Sequence, residues 1–516
     1  MHDHRSLALG SFALVLAAAL PAQLGGTYRV NPAQPASSAS FPSLAAAVAA
    51  LTTQGVNGPV EFLLYDDAGP YTELALFATG NPLGANTAVL ALANWNGASA
   101  INRVTFRAAP GERVVLEATG RAVGVFWGGA DFVTLRDVEI RNAIHDGVSL
   151  YAEGAQGIAN DAILDGCRIH DCGGTAVTIY GNSSPPTNTV VRNCTIWSCQ
   201  QQNAGAFATT GRFAYVTTRN SVGTRVVHNT FFVDTGSGAS FAVFGANTLT
   251  AAEAPYAEIS NNIVVRTATA PGPIFRIRTL NGAAFPVPAI CDSNCFFDTT
   301  GNDFARFGMN AATVAPTLPS WQQNGVDLLS LLADPQLQNP GAHDFHVLPT
   351  SPCLGASMLA SGVAFDVDGQ PRTTALEIGA DEFSAAHATI VGNGCSGVGA
   401  PPALTTYTWP FLGNAGFALT FEQLPPNWFA VLFGSLALAP APIPLGGGCS
   451  SYLDFGTLTA LAAATSGPAG TASVVLAVPA NAAFIGFEIG YQGVVPDAAA
   501  PLGLAVTNGL DVVFDF

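Results

Sequence analysis

One short phrase recurs six times in the middle of the chain, and it limits the fold more than any other feature. The copies are "LRDVEIRN", "LDGCRIHD", "VRNCTIWS", "VHNTFFVD", "SNNIVVRT" and "DSNCFFDT". Aligned on one column they bring together Asp137, Gly166, Asn193, Asn229, Asn262 and Asn294, at intervals of 27 to 36 residues. Fixed-period self-similarity of this kind marks a repeat architecture. After the column the residues alternate in the period of two that belongs to a half-buried strand. Strict alternation assigns inward positions to Val138 and Ile140, Cys167 and Ile169, Cys194 and Ile196, Thr230 and Phe232, Ile263 and Val265, and Cys295 and Phe297.

One such strand cannot bury its own face, but stacked units bury a continuous core. The residues between the copies are rich in Gly, Thr, Asn and Ser and carry no amphipathic run of period 3.6, which argues against strand–helix units. The expected fold is all-β: a right-handed parallel β-helix with two or three short strands per turn. The Asn column predicts a ladder of stacked amides bonding from coil to coil, beside the alternative that Asn is simply a common turn residue. Cys167 and Cys194 share one column, and Cys172 and Cys199 another. Stacked positions about 4.8 Å apart fit inter-coil disulfides and fit a stack of buried thiols equally well.

The 516-residue chain has room for two or three domains. Its opening, "MHDHRSLALGSFALVLAAALPAQ", reads as a secretory signal peptide over residues 1–22, with cleavage near Ala22 or Gln23. No later stretch is long and apolar enough to span a bilayer. A secreted or cell-surface protein is therefore expected, with disulfides permitted. The formal net charge is −17, and all 18 basic residues are Arg. Nucleic-acid binding, which needs a basic face, is disfavoured.

Behind the signal, "FPSLAAAVAALTTQG" predicts a helix from Phe41 to about Thr53, stopped by Gly55, that covers the open end of the solenoid. The β-helix domain is placed at residues 23–383. No Arg follows Arg372, and "IVGNGCSGVGAPP" reads as a Gly-rich linker over 384–400. It matches G-x-G-x-x-G but follows no βαβ pattern, so it implies no dinucleotide. Alternating apolar runs with Pro and Gly turns then predict a β-sandwich over 401–516, with Cys395 bridged to Cys449.

The "VTFRA…VVLEATG" phrase and the repeated strands resemble secreted bacterial right-handed β-helix proteins of the pectate-lyase-like superfamily. The segment from Asp334 to Phe383 resembles the closing module of many such proteins, whose pattern is close to "SPC-I-D-A-G … D-x-D-G-x-P-R … D-I-G-A-x-E". This chain keeps "SPC" and "DVDGQPR", but has Gly355 in place of an acid and Glu377 in place of Asp. The last domain resembles a C-terminal β-domain shared by many exported bacterial proteins. The resemblance implies the fold and export; the superfamily holds lyases, hydrolases and adhesins alike, so it leaves activity open.

Outward on the first three aligned strands are Glu139 and Arg141, Arg168 and His170, and Thr195 and Trp197. Carboxylate, guanidinium, imidazole and an exposed indole together read as a sugar subsite. Arg binds uronate carboxylates in a bidentate way, Trp197 would stack on a sugar ring, and His170 is a candidate base. The competing expectation is that Glu139 pairs with Arg168 across strands and Trp197 packs under a loop. The superfamily's lyases use a Lys or Arg base, often with Asp-bound calcium. Without Lys, the base here would be Arg141 or Arg168. The paired-Asp phrases of the polygalacturonase-like members are absent. Asp366, Asp368, Asp381 and Glu382 are candidate calcium ligands, beside the alternative of a hydrogen-bonded turn. His343 and His346, in "HDFH", lack the helix and the third ligand that zinc asks for. Two functions follow: a monomeric protein that binds or cleaves an extracellular polysaccharide or surface glycan, or a non-catalytic adhesion scaffold.

Overall fold

In a computed structural model, residues 22–77, 86–152, 159–181, 185–199, 214–219, 221–234, 240–246, 256–267, 272–279, 288–307, 313–357, 361–372, 376–397 and 399–515 are described. The expected signal peptide lies almost wholly outside them. Three long sheets of ten, eight and ten strands run side by side, and nearly every neighbouring pair is parallel. Each coil contributes one short strand to each sheet, so the molecule is a right-handed parallel β-helix with three faces. Its interior is one continuous apolar core from Leu24 to Val326. Among the described residues no helix is long and apolar enough to cross a membrane.

The cap helix runs Leu44–Gln54. Ser43 caps it by accepting from the Ala46 N–H, and Gly55 ends it at φ 68°, where glycine is tolerated best. Glu73 takes the N–H groups of Leu44 and Ala45 at 2.7 and 2.9 Å, placing an anion at the positive end of the helix. Leu44, Ala47 and Leu51 bury the apolar stripe against the first coils. At the other end a short helix, Leu318–Gln322, closes the core with Trp321, stacked 5.0 Å from Phe275.

The eight-stranded sheet corrects two details of the sequence alignment. Glu139–Arg141 pairs with Arg168–His170, which pairs with Thr195–Trp197, which pairs with Thr230–Val233. In this register Asp137, Gly166 and Asn193 align with His228, Asn261 and Ser293, not with Asn229, Asn262 and Asn294. All six of the former have φ between 51° and 64°. They are left-handed corners between two sheets, which is why Asn, Asp and Gly recur there. The amide ladder is real but stands one residue further on, inside the core. Asn229 donates to Asn262 Oδ1 at 3.0 Å, and Asn262 donates to Asn294 Oδ1 at 3.0 Å. The second correction follows from the first. Phe231, Val264 and Phe296 point into the core, so Thr230, Phe232, Ile263, Val265, Cys295 and Phe297 face outward.

Those outward residues are covered. The segment from Leu337 to Phe383 lies over this half of the sheet, and Leu337, Phe345, Val347, Cys353 and Ile378 close a second core with Ile263, Val265, Cys295 and Trp197. Gly379 has φ 119°, donates to Asn261 O at 2.9 Å, and passes so close that a Cβ would stand 2.6 Å from Ile263 Cδ1. The described cysteines of the solenoid are buried thiols; Cys167 neighbours Cys194, Cys172 neighbours Cys199, and Cys295 neighbours Cys353.

The C-terminal domain has its own core between a five-stranded and a three-stranded antiparallel sheet. Its first strand, His387–Val391, pairs with Leu504–Phe514 and so lies within the segment expected to be linker. Cys395 and Cys449 are bridged. The domain leans on the solenoid at Gly111, whose carbonyl accepts from Thr420 Oγ1 and Ser473 Oγ.

Candidate functional site

The three upstream outward pairs expected to form a subsite lie together, as the register requires. Their side chains are engaged with one another. Glu139 is 4% exposed. Its Oε2 accepts from Arg113 Nε and Nη2 at 3.1 and 2.9 Å, and its Oε1 accepts from Arg141 Nη1 at 2.8 Å. His170 Nε2 stands 3.3 Å from the same oxygen, and Nδ1 stands 2.7 Å from Asp171. Burial alone would raise the Glu139 carboxyl. The hydrogen bond from His170 and the charges of Arg113 and His170 outweigh it and bring the group down to about 2. Arg141 also bonds Glu117 at 2.8 Å.

Trp197 does not offer an exposed indole. It is 6% exposed, stacked between His170 at 4.2 Å and His343 at 4.9 Å, and tilted against Phe345. The closing module buries it, so this residue is part of the packing between module and sheet. Nor does Glu139 pair with Arg168, its neighbour across the strands.

Arg168 instead turns into a cleft of about 230 Å³. Arg107, Arg113 and Arg136 line the same cleft, Asp368 borders it from the closing module, and Tyr407 from the C-terminal domain. Three of these guanidinium groups have carboxylate partners: Arg107 with Glu61 at 2.6 Å, Arg113 with Glu139, and Arg136 with Asp137 at 3.2 Å. Arg168 has no hydrogen-bonded carboxylate among the described residues; Asp344 and Asp368 are its electrostatic neighbours. Arg113 lies 5.2 Å over the Tyr407 ring, which holds it at the mouth. Glu112, also lining the cleft, is pushed well above the ordinary carboxylate range by burial and by its contact with Asp66. The sequence reading missed Arg107, Arg113, Arg136 and Glu112. Arg107, Arg113 and Glu112 lie before the first repeat copy, and Arg136, though inside it, precedes the aligned column and ends the neighbouring strand.

The four candidate calcium ligands divide. Asp366 accepts from the backbone N–H groups of Asp368, Gln370 and Glu382 at 2.7 to 3.0 Å, which makes it the centre of a turn. Glu382 is bound to Arg372. Asp368 and Asp381 converge instead on His346, and one donor atom from each of the three lies within 4.8 Å of the others. His346 does have two further donor groups within reach, from residues 22 and 35 positions downstream.

A family model described as a right handed beta helix region matches residues 93–270. No curated protein matches the chain in sequence. Among solved structures, the crystal structure of pectate lyase Pel9A is similar, with a TM-score of 0.37 and 14% identity, over 70% of this chain and 97% of that chain.

Proposed function

We propose that this is an exported protein that binds an anionic polysaccharide, such as a polyuronate, in the cleft between the solenoid, the closing module and the C-terminal domain. One observation carries the reading: Arg168 projects into a cleft of about 230 Å³ with no hydrogen-bonded carboxylate among the described residues, beside three further guanidinium groups. A planar guanidinium matches a sugar carboxylate with two parallel hydrogen bonds. The neighbouring paired arginines keep the cleft from being an open cationic patch, so the charge is focused near one group. The signal-like opening supports export. Binding is favoured over cleavage because the candidate base His170 and the carboxylate Glu139 are held in a mutual network.

A second reading, a scaffold without a ligand, is favoured by the closing module, which covers the downstream half of the same face with apolar packing. A screen of the full chain against plant, algal and bacterial polysaccharides separates the two. Binding, new reducing ends and new unsaturated uronate absorbance are recorded together. Retention of acidic but not neutral glycans, without new ends, is the expected result. Unsaturated product would make the protein a lyase, and silence toward every glycan would leave the scaffold.

A further inference from the structure

We infer that His346, Asp368 and Asp381 form a divalent-metal site that fastens the closing module, and that the metal is a first-row ion such as zinc rather than calcium. The strand Asp344–Val347 carries the histidine. The turn that follows Phe365 brings Asp368, and the segment after Gly379 brings Asp381. The three donor atoms lie within 4.8 Å of one another. His346 Nε2 and Asp368 Oδ2 are 2.9 Å apart, close to the edge of about 3 Å that two ligands at right angles make around an octahedral ion at about 2.1 Å and shorter than the roughly 3.4 Å of a tetrahedral one.

The surroundings suit a cation at this point, and three donors converge on it. His346 Nδ1 is taken by Asp344 Oδ1 at 2.5 Å. A carboxylate on the far nitrogen sets the tautomer of a metal-bound imidazole and turns the lone pair of Nε2 toward the ion. A proton on Nε2 would serve Asp368 alone by hydrogen bond; Asp381, held by the Val347 N–H at 2.8 Å, faces the same point and offers a metal a third donor. A cavity of about 40 Å³ opens beside them, bordered by His343, His346, Asp368 and Asp381 and by Arg168 and Thr195 of the sheet. That is room for an ion with a water, since one water needs about 15 Å³ on this measure. On the other side Asp344, His346 and Asp381 border a cleft of about 400 Å³ that gives an entry path. Trp409 of the C-terminal domain stacks on His346 at 4.4 Å and fixes the ring. One nitrogen and two carboxylates suit zinc and its neighbours; calcium prefers an all-oxygen shell of six or more.

The test uses the full chain purified without chelator. Metal content is measured, the metal is stripped, and thermal unfolding is followed while zinc, manganese or calcium chloride is added back. The expected result is about one zinc or manganese per chain and a rise in Tm of several degrees on re-addition. His346→Ala should abolish both, while His343→Ala, which borders the cavity but lies outside the donor set, should abolish neither. Asp344→Asn should weaken binding about 10- to 100-fold without removing it, the effect expected of a group acting on a ligand rather than on the metal. The near-isosteric Asp381→Asn guards against misfolding: it should keep the metal-free Tm and lose the metal-induced rise. The inference is overturned by an absence of retained metal with no Tm response, by a response to calcium alone, or by equal loss in His343→Ala and His346→Ala.

Discussion

Asn262 sits in the middle of the internal amide ladder with no access to water. Its amide donates to Val226 O, Ser260 O and Asn294 Oδ1, and its Oδ1 accepts from the backbone and side chain of Asn229. Asn262→Ala strands several buried groups at once, each worth about 1–3 kcal/mol when left unmade. Chemical denaturation should show a loss of about 3 kcal/mol, well above that of an exposed Asn→Ala. Glu139 makes a pH-dependent contribution. Its carboxyl falls from 4.5 to about 2 on folding, so the stabilisation is present above the unfolded value and is lost as pH falls from about 5 toward 2. The size is on the order of 3 kcal/mol. Denaturation curves of Glu139→Gln should therefore be flatter than wild type over that range; parallel curves would contradict the network. The ladder was legible as a run of asparagines, but its column was not. Asn serves both the left-handed corners and the ladder, and "SNN" offers two asparagines for two adjacent roles, so letters alone do not choose between Asn261 and Asn262.

At the scale of elements, the upstream and downstream coils obey different rules. Where the outward positions are mostly polar or charged, alternation identifies the inward residues, as with Ile140, Ile169 and Ile196. Where both faces are covered, the strand is apolar throughout, and "TFFV" and "IVVR" read the same in either parity. The cover itself is a long irregular segment whose resemblance to a closing module was visible, while its resting place was not: docking is decided by shape, as at Gly379 over Ile263. Gly379→Val tests that docking. A side chain at φ 119° and 2.6 Å from Ile263 Cδ1 must push the module away. Limited proteolysis should then cut between Asp334 and Phe383 while the solenoid core stays resistant. The helix Leu44–Gln54 was legible from its Gly55 stop, a local signal, whereas its start was placed at Phe41, ahead of the Ser43 cap.

At the scale of the molecule, three parts meet around one set of clefts. The solenoid brings Arg107, Arg113, Arg136 and Arg168, the closing module brings Asp368, and the C-terminal domain brings Tyr407. Fold class was legible because stacking repeats a local pattern; the cleft was not, because its walls come from segments some 300 residues apart in the chain. The acidic chain as a whole repels polyanions, so any anionic glycan must be taken by local guanidinium geometry rather than by net charge. The most direct measurement is the affinity of wild type and Arg168→Ala for a polyuronate, with a neutral glycan as control and Tm as the check on folding. The account predicts that wild type retains the polyuronate at physiological salt, and that Arg168→Ala binds at least about tenfold more weakly, a bidentate charged bond being worth about 1.5–3 kcal/mol, with Tm unchanged. Equal affinity of the two proteins, or no affinity of either for any anionic glycan, would contradict it.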